Sequence, residues 1–132
     1  MTSKLVLDNI AGRTTAGSIA VVGEGNGTTT NLQQGLLKSW LNMNGQSTIA
    51  INDSFNMASI TDNGTGSYGA TVSNAMSNTY YVAAGEHSSN GSFSANYRII
   101  PSTTTHMVFF TQAANAVEDA QTITVMQGGS LA

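Results

Sequence analysis

Apolar and polar residues alternate with a period of two along most of the chain, which is the pattern of half-buried β-strands. The alternation is clearest at Ile49 and Ile51, at residues 68–72 and at residues 93–99. These runs end in clusters of Asn, Asp, Gly and Ser, and the Asn44-Gly45 pair predicts a type I′ hairpin. Strands spaced about 8–12 residues apart with turn signals between them are typical of a sandwich or barrel. The pattern therefore predicts an all-β fold, an antiparallel β-sandwich with a jelly-roll-like head.

The N-terminal stretch differs from the rest, because no aromatic residue precedes Trp40. Two strand-like runs, residues 4–10 and 18–22, are separated by glycine-rich connections. Strands this short are not stable by themselves in water. We therefore expect residues 1–38 to form an extended arm for attachment or oligomerisation, and residues 39–132 to form the head domain.

One short helix is predicted inside the arm, after Thr30 or Asn31 as its N-cap. Leu32 and Leu36 lie four residues apart and share a helix face, although Gly35 weakens the helix by about 1 kcal/mol. The apolar residues of the arm are the candidate subunit and attachment contacts: Leu5, Leu7, Ile10, Ile19, Val21, Leu32 and Leu36.

The amino-acid composition excludes several classes of function. Only 8% of the 132 residues are charged, against about 25% in an ordinary soluble domain, while the chain holds 17 Thr, 15 Ser, 13 Asn and 14 Gly. So few charges argue against a polybasic nucleic-acid binder, and no apolar run reaches the roughly 18 residues of a membrane span. We expect neither a nucleic-acid partner nor membrane insertion. A net charge of −3 protects poorly against association, which favours burial of surface in a homo-oligomer.

The candidates for chemistry are few. His87 follows Glu86, and Asp53 and Asp62 are the carboxylates that a glycoside hydrolase would need as a pair. Both aspartates have turn-like neighbours, N-D-S and D-N-G, where Asp usually binds its own backbone, and Glu118-Asp119 reads as a solvated connection. With no Cys and two His, a zinc site is not expected. The sequence predicts a protein that is not an enzyme and has no cofactor; a small glycan hydrolase is the enzymatic alternative.

A 32-residue stretch carries a more specific signal. Residues 35–66 read G-L-L-K-S-W-L-N-M-N-G-Q-S-T-I-A-I-N-D-S-F-N-M-A-S-I-T-D-N-G-T-G. This stretch resembles a motif of structural proteins, including tail-fibre-like proteins, of marine and freshwater tailed phages, and the upstream T-T-T-N-L-Q-Q-G is similar to the same proteins. The matching residues are Lys38, Trp40, Asn42, Asn44, Gly45, Asp53, Ser54, Phe55, Asn56, Ser59, Ile60, Thr61, Asp62, Asn63, Gly64, Thr65, Gly66 and Tyr68. Asn52 stands where a basic residue is frequent, and Met43 where an aromatic is frequent.

The resemblance implies a virion structural protein that is assembled in the host cytoplasm. The expected form is a homotrimeric tail fibre or appendage subunit, which contacts other virion proteins through the arm and displays the head for host-receptor binding. A capsid decoration or head-fibre protein is the alternative. Residues 87–91 read as a loop, and either Tyr80 or Tyr81 faces outward on a regular strand. The candidate contacts to a host-surface glycan or protein are His87, Ser89, Asn90 and Tyr81.

Overall fold

The structure, a computed structural model, describes residues 4–12, 19–22, 27, 29–89, 92–93, 96–113 and 116–131. The regular secondary structure of the described residues is almost entirely β-strand, with antiparallel pairing throughout, so the predicted all-β class is confirmed. It divides into two compact units, residues 1–36 and 37–132. Among the described residues, no helix has the length and apolar character that crossing a membrane requires.

Within the described residues of the first unit, one small hairpin is followed by one helical turn. Strands β1 (Ala20–Val22) and β2 (Thr29–Asn31) pair antiparallel, with Val21 opposite Thr30. Helix α1 (Leu32–Gly35) follows directly, and the Leu32 amide donates to the Ile19 carbonyl at 2.9 Å. The single predicted helix is therefore present as one turn. Residues 4–12 lie outside any strand.

The second unit begins two residues earlier than the head expected from the sequence, because Leu37 already starts a strand and both Lys38 and Ser39 are buried. Its strands, in chain order, are β3 (Leu37–Asn44), β4 (Ala50–Phe55), β5 (Met57–Gly64), β6 (Ser67–Val72), β7 (Val82–Ser89), β8 (Ser92–Phe93), β9 (Asn96–Pro101), β10 (His106–Ala113), β11 (Ala116–Val117) and β12 (Thr122–Gly128).

These strands form two sheets. The first sheet has the order β4-β3-β12-β7-β8, with the late strand β12 at its centre. The second sheet runs β5-β6-β10-β9. Gln112 of β10 pairs with both Asn96 and Val117, so β9 and β11 lie on opposite edges of β10. The jelly-roll form remains a prediction.

One hydrophobic core joins the two sheets. Alternate residues of β3 and β12 point into it from the first sheet, as the period-two pattern requires. Tyr68 and Ala70 of β6 enter from the second sheet. The cluster is completed by residues that expose 2% of their surface or less: Leu41, Met43, Ala120, Ile123 and Val125.

The β3–β4 connection differs from the hairpin predicted at Asn44-Gly45. Five residues, 45–49, separate the strands, and the left-handed residue is Ser47, with φ of 60°. The Asn44 side chain organises this loop by donating to the carbonyls of Gln46 and Thr48. A Cβ at Gly45 would lie 2.7 Å from the Tyr68 hydroxyl oxygen, so close packing rather than turn geometry requires the glycine. The type I′ prediction is wrong.

A single residue, Asn56, carries the chain from the first sheet to the second, between β4 and β5. It has a left-handed φ of 57°, which Asn tolerates better than most residues. Its side chain donates to the Lys38 carbonyl at 2.9 Å and accepts the Asn74 amide at 2.8 Å. These bonds tie the corner to β3 and to the segment after β6.

Candidate functional site

The arm residues predicted as subunit contacts are mostly exposed. Leu5 is 80% exposed, and Leu7, Ile10, Val21 and Leu36 are between 51% and 60% exposed. Ile19 and Leu32 are half-buried, and their backbones are joined by the hydrogen bond described above. The first unit thus presents most of these apolar side chains to solvent.

The structure does not bring the receptor-contact candidates together in a loop. His87 lies inside β7, is 3% exposed, and stands opposite the core residue Ile123. The loop expected at residues 87–91 is wrong at its start, because β7 continues to Ser89 and pairs there with β8. Asn90 lies outside the described residues, and for Ser89 the structure describes the backbone only.

Of the neighbouring tyrosines Tyr80 and Tyr81, the one named as a receptor contact, Tyr81, faces inward. Tyr81 is buried at 6% exposure, and its hydroxyl donates to the Thr103 carbonyl at 3.3 Å. Tyr80 is 91% exposed. Since Tyr81 faces inward, it is not a surface contact, and Tyr80 is the member of this pair that is displayed.

Many residues in and next to the stretch 35–66 have structural roles. The Asp62 carboxylate accepts the Gly64 amide at 2.9 Å and shapes the β5–β6 turn, as its D-N-G context predicts. Gly64 and Gly66 have φ of 118° and 62°. Asn56 forms the corner between the sheets, and Tyr68 belongs to the core. These residues therefore include positions that shape a turn, a position that forms the corner between the sheets and a residue of the core.

A polar network closes one end of the core. The Tyr68 hydroxyl lies 2.8 Å from the Gly45 carbonyl oxygen and 3.0 Å from an Asp119 carboxylate oxygen, which also accepts the Gly66 amide at 2.8 Å. Burial, and then the neighbouring Asp119 carboxylate, raise the pKa of Tyr68 well above its usual value near 10. Asp119 is thus an organising acceptor, whereas the sequence placed it in a solvated connection.

Asp53 and Asp62 are exposed and lie in different sheets, and Asp53 belongs to β4 instead of the turn expected for it. A pocket of about 110 Å³ is lined by Glu86, His87, Ser88, Thr122 and Thr124, which is well below the roughly 300 Å³ of a typical ligand site. Among the described residues, no cluster of three or more His, Asp or Glu is placed to hold a metal ion.

The outer face of the first sheet carries a row of exposed apolar residues that sequence reasoning missed. Phe55 pairs with Trp40, Trp40 with Met126, and Met126 with Ala84, across four neighbouring strands. Residues directly opposite in antiparallel strands project from the same face. Phe55 is 54% and Met126 46% exposed, and Trp40 is partly exposed.

A second apolar row lies beside the first. Gly128 pairs with Leu37 on one side and Val82 on the other, and these side chains are 51% and 71% exposed. Lys38, at the bulge between the rows, is only 6% exposed. We call Leu37, Trp40, Phe55, Val82 and Met126 together the apolar face. The neighbouring row on its other side is polar, with Asn42, Asp53, Glu86 and Thr124, and the Asn52 side chain donates to that of Asn42.

Comparisons with protein families, with curated proteins and with solved structures find no match to the chain.

Proposed function

We propose that this chain is a structural subunit of a tailed-phage virion, a homotrimeric tail fibre or similar appendage. The arm attaches the subunit to other virion proteins or to neighbouring subunits, and the head is displayed for host-surface binding. The observation that carries the proposal is the arm: an apolar segment outside any strand, with Leu5, Leu7 and Ile10 exposed, has surface to bury against a partner. The resemblance of residues 35–66 to phage structural proteins supplies the virion context.

Several features support a structural role over an enzymatic one. The carboxylates are separated, the pocket beside His87 is small, and the polar groups of the core stabilise turns. The turn-rich, weakly charged head suits prolonged display outside a cell. The preference for a trimer rests on analogy with fibres, which close by rotational symmetry.

The mass of the purified full chain tests the assembly, and limited proteolysis tests the arm. We expect about three times 13.7 kDa by light scattering and an arm that resists protease in a sample of that mass. Leu5→Asp with Leu7→Asp should lower the mass and expose residues 1–36 to cleavage, because charged side chains oppose burial. A monomer with a protease-sensitive arm in the wild-type chain would exclude the trimer.

The alternative is a capsid decoration or head-fibre protein. Mass spectrometry of virions separated into tails and tail-less heads discriminates the two. Recovery of the chain with the tails supports the appendage, recovery with the heads supports decoration, and absence from virions contradicts both.

A further inference from the structure

We infer that the apolar face of the first sheet is an interface with a second copy of this chain. The inference rests on the homo-oligomeric state in the proposed function but concerns a different surface, on the head instead of the arm. It starts from the register of β4, β3, β12 and β7, which places Phe55, Trp40 and Met126 in one row and Leu37 and Val82 in the next.

The area of this face fits an interface. At about 100 Å² for each of the four half-exposed side chains and less for Trp40, the five residues present roughly 400–500 Å² of apolar surface, which is the size of the largest and often functional patch on a monomer. A specific interface covers about 800 Å² on each partner, with an apolar centre and a polar rim. Asn42 and Thr124, in the adjoining row, supply such a rim.

The charge of this face favours a copy of the same chain as its occupant. Neither apolar row has an exposed charged side chain; Asp53 and Glu86 lie one row further away, and Lys38 is buried. A partner must therefore present an uncharged surface, because an unpaired charge buried against these rows is costly. This chain, with 8% charged residues, meets that condition itself. Around a three-fold axis, the apolar faces of three copies meet at the centre.

Trp40 makes the inference directly measurable, because it is the chain's only tryptophan and lies within the face. We expect acrylamide to quench Trp40 weakly in the full-length oligomer. Dilution should raise quenching and lower the light-scattering mass over the same concentration range, since both report removal of the second copy.

Matched variants of the full chain locate the contact. Met126→Glu should weaken association by about 30-fold or more, while Met126→Leu should leave it nearly unchanged. Val117→Glu is the control, because Val117 is 53% exposed in β11 of the second sheet and receives the same charge; we expect less than a two-fold effect. Circular dichroism and urea unfolding check that each variant is folded.

The opposing outcomes are distinct. An oligomer whose mass and quenching are unaffected by Met126→Glu overturns the interface but leaves the proposed appendage intact. A wild-type monomer with freely quenched Trp40 overturns both the interface and the trimer. Protection of Trp40 in a monomer means that the chain covers its own face, and protection only after adding dextran oligosaccharides means a glycan site; each result overturns the inference.

Discussion

Replacing Tyr68 by Phe removes one hydroxyl from the closed end of the core and leaves the ring in place. That hydroxyl lies 2.8 Å from the Gly45 carbonyl oxygen and 3.0 Å from the Asp119 carboxylate, so its proton serves two acceptors. Both the tyrosine and Gly45 are buried, and water has little access to replace the lost donor. The change isolates the contribution of one buried, partly charge-assisted hydrogen bond.

The expected loss is about 1–3 kcal/mol in the free energy of unfolding, the usual range when a buried acceptor loses its donor. For a unit of this size, a urea slope of roughly 1–1.5 kcal/mol per molar converts a 2 kcal/mol loss into a midpoint lower by about 1–2 M. Tyr80→Phe is the control, because Tyr80 is 91% exposed and loses a solvated hydroxyl. We expect its effect to stay within about 0.5 kcal/mol. Equal midpoints for Tyr68→Phe and the wild type would refute the role assigned to the hydroxyl.

The contact between Tyr68 and Asp119 predicts how the free energy of unfolding changes with pH. Burial and Asp119 raise the pKa of Tyr68 in the folded chain, so above pH about 10 the unfolded tyrosine ionises while the folded one keeps its proton. Stability should therefore be constant with respect to this group below pH 10 and fall above it, by up to about 1.4 kcal/mol per pH unit. Burial also raises the pKa of Tyr81, so Tyr68→Phe should reduce this slope without abolishing it. A steeper alkaline slope in the variant would contradict the assignment.

Substitutions at three further positions test the loop, the corner and the buried polar pair by urea unfolding. Gly45→Ala should cost about 1–3 kcal/mol, because its Cβ would lie 2.7 Å from the Tyr68 hydroxyl oxygen; wild-type stability would show that the loop relaxes freely. Asn56→Gly should cost about 1–2 kcal/mol through lost side-chain hydrogen bonds, and Asn56→Ala about 1 kcal/mol more through its left-handed φ. If the two substitutions are equal, φ contributes nothing. Ser39→Ala removes the hydroxyl that donates to the buried Gln127 amide oxygen and should cost about 1 kcal/mol, whereas an unchanged midpoint would contradict that bond's contribution.

The positions of the strands can be predicted from local sequence patterns, but the pairing between strands cannot. Leu41 and Met43, or Ile123 and Val125, alternate with polar residues, so each pair is recognisable as one face of a strand. The insertion of β12 between β3 and β7 depends on packing between distant segments, which periodicity does not encode. His87 illustrates the difference: its Ser- and Asn-rich surroundings favour a loop, but pairing with β12 extends the strand through it.

The candidate surface was missed for a related reason. Trp40 and Phe55 are large aromatic residues, and from sequence alone such residues are expected to be buried in the core. Their exposure becomes visible only when the register aligns them with Met126 on the outer face. Asp119 escaped notice because its neighbour Glu118 suggested a solvated pair, whereas its partner Tyr68 is distant along the chain.

The central position of β12 also affects synthesis. Until residues 122–128 have been made, β3 and β7 each lack the neighbour that separates them in the finished sheet. A nascent chain without β12 therefore has two unpaired strand edges, one on β3 and one on β7. Unpaired edges pair readily with strands of other molecules. Many copies translated close together would be at risk of exchanging β12 between chains before each sheet is complete. The yield of correctly folded protein should thus depend on whether β12 is synthesised and inserted faster than two nascent chains meet.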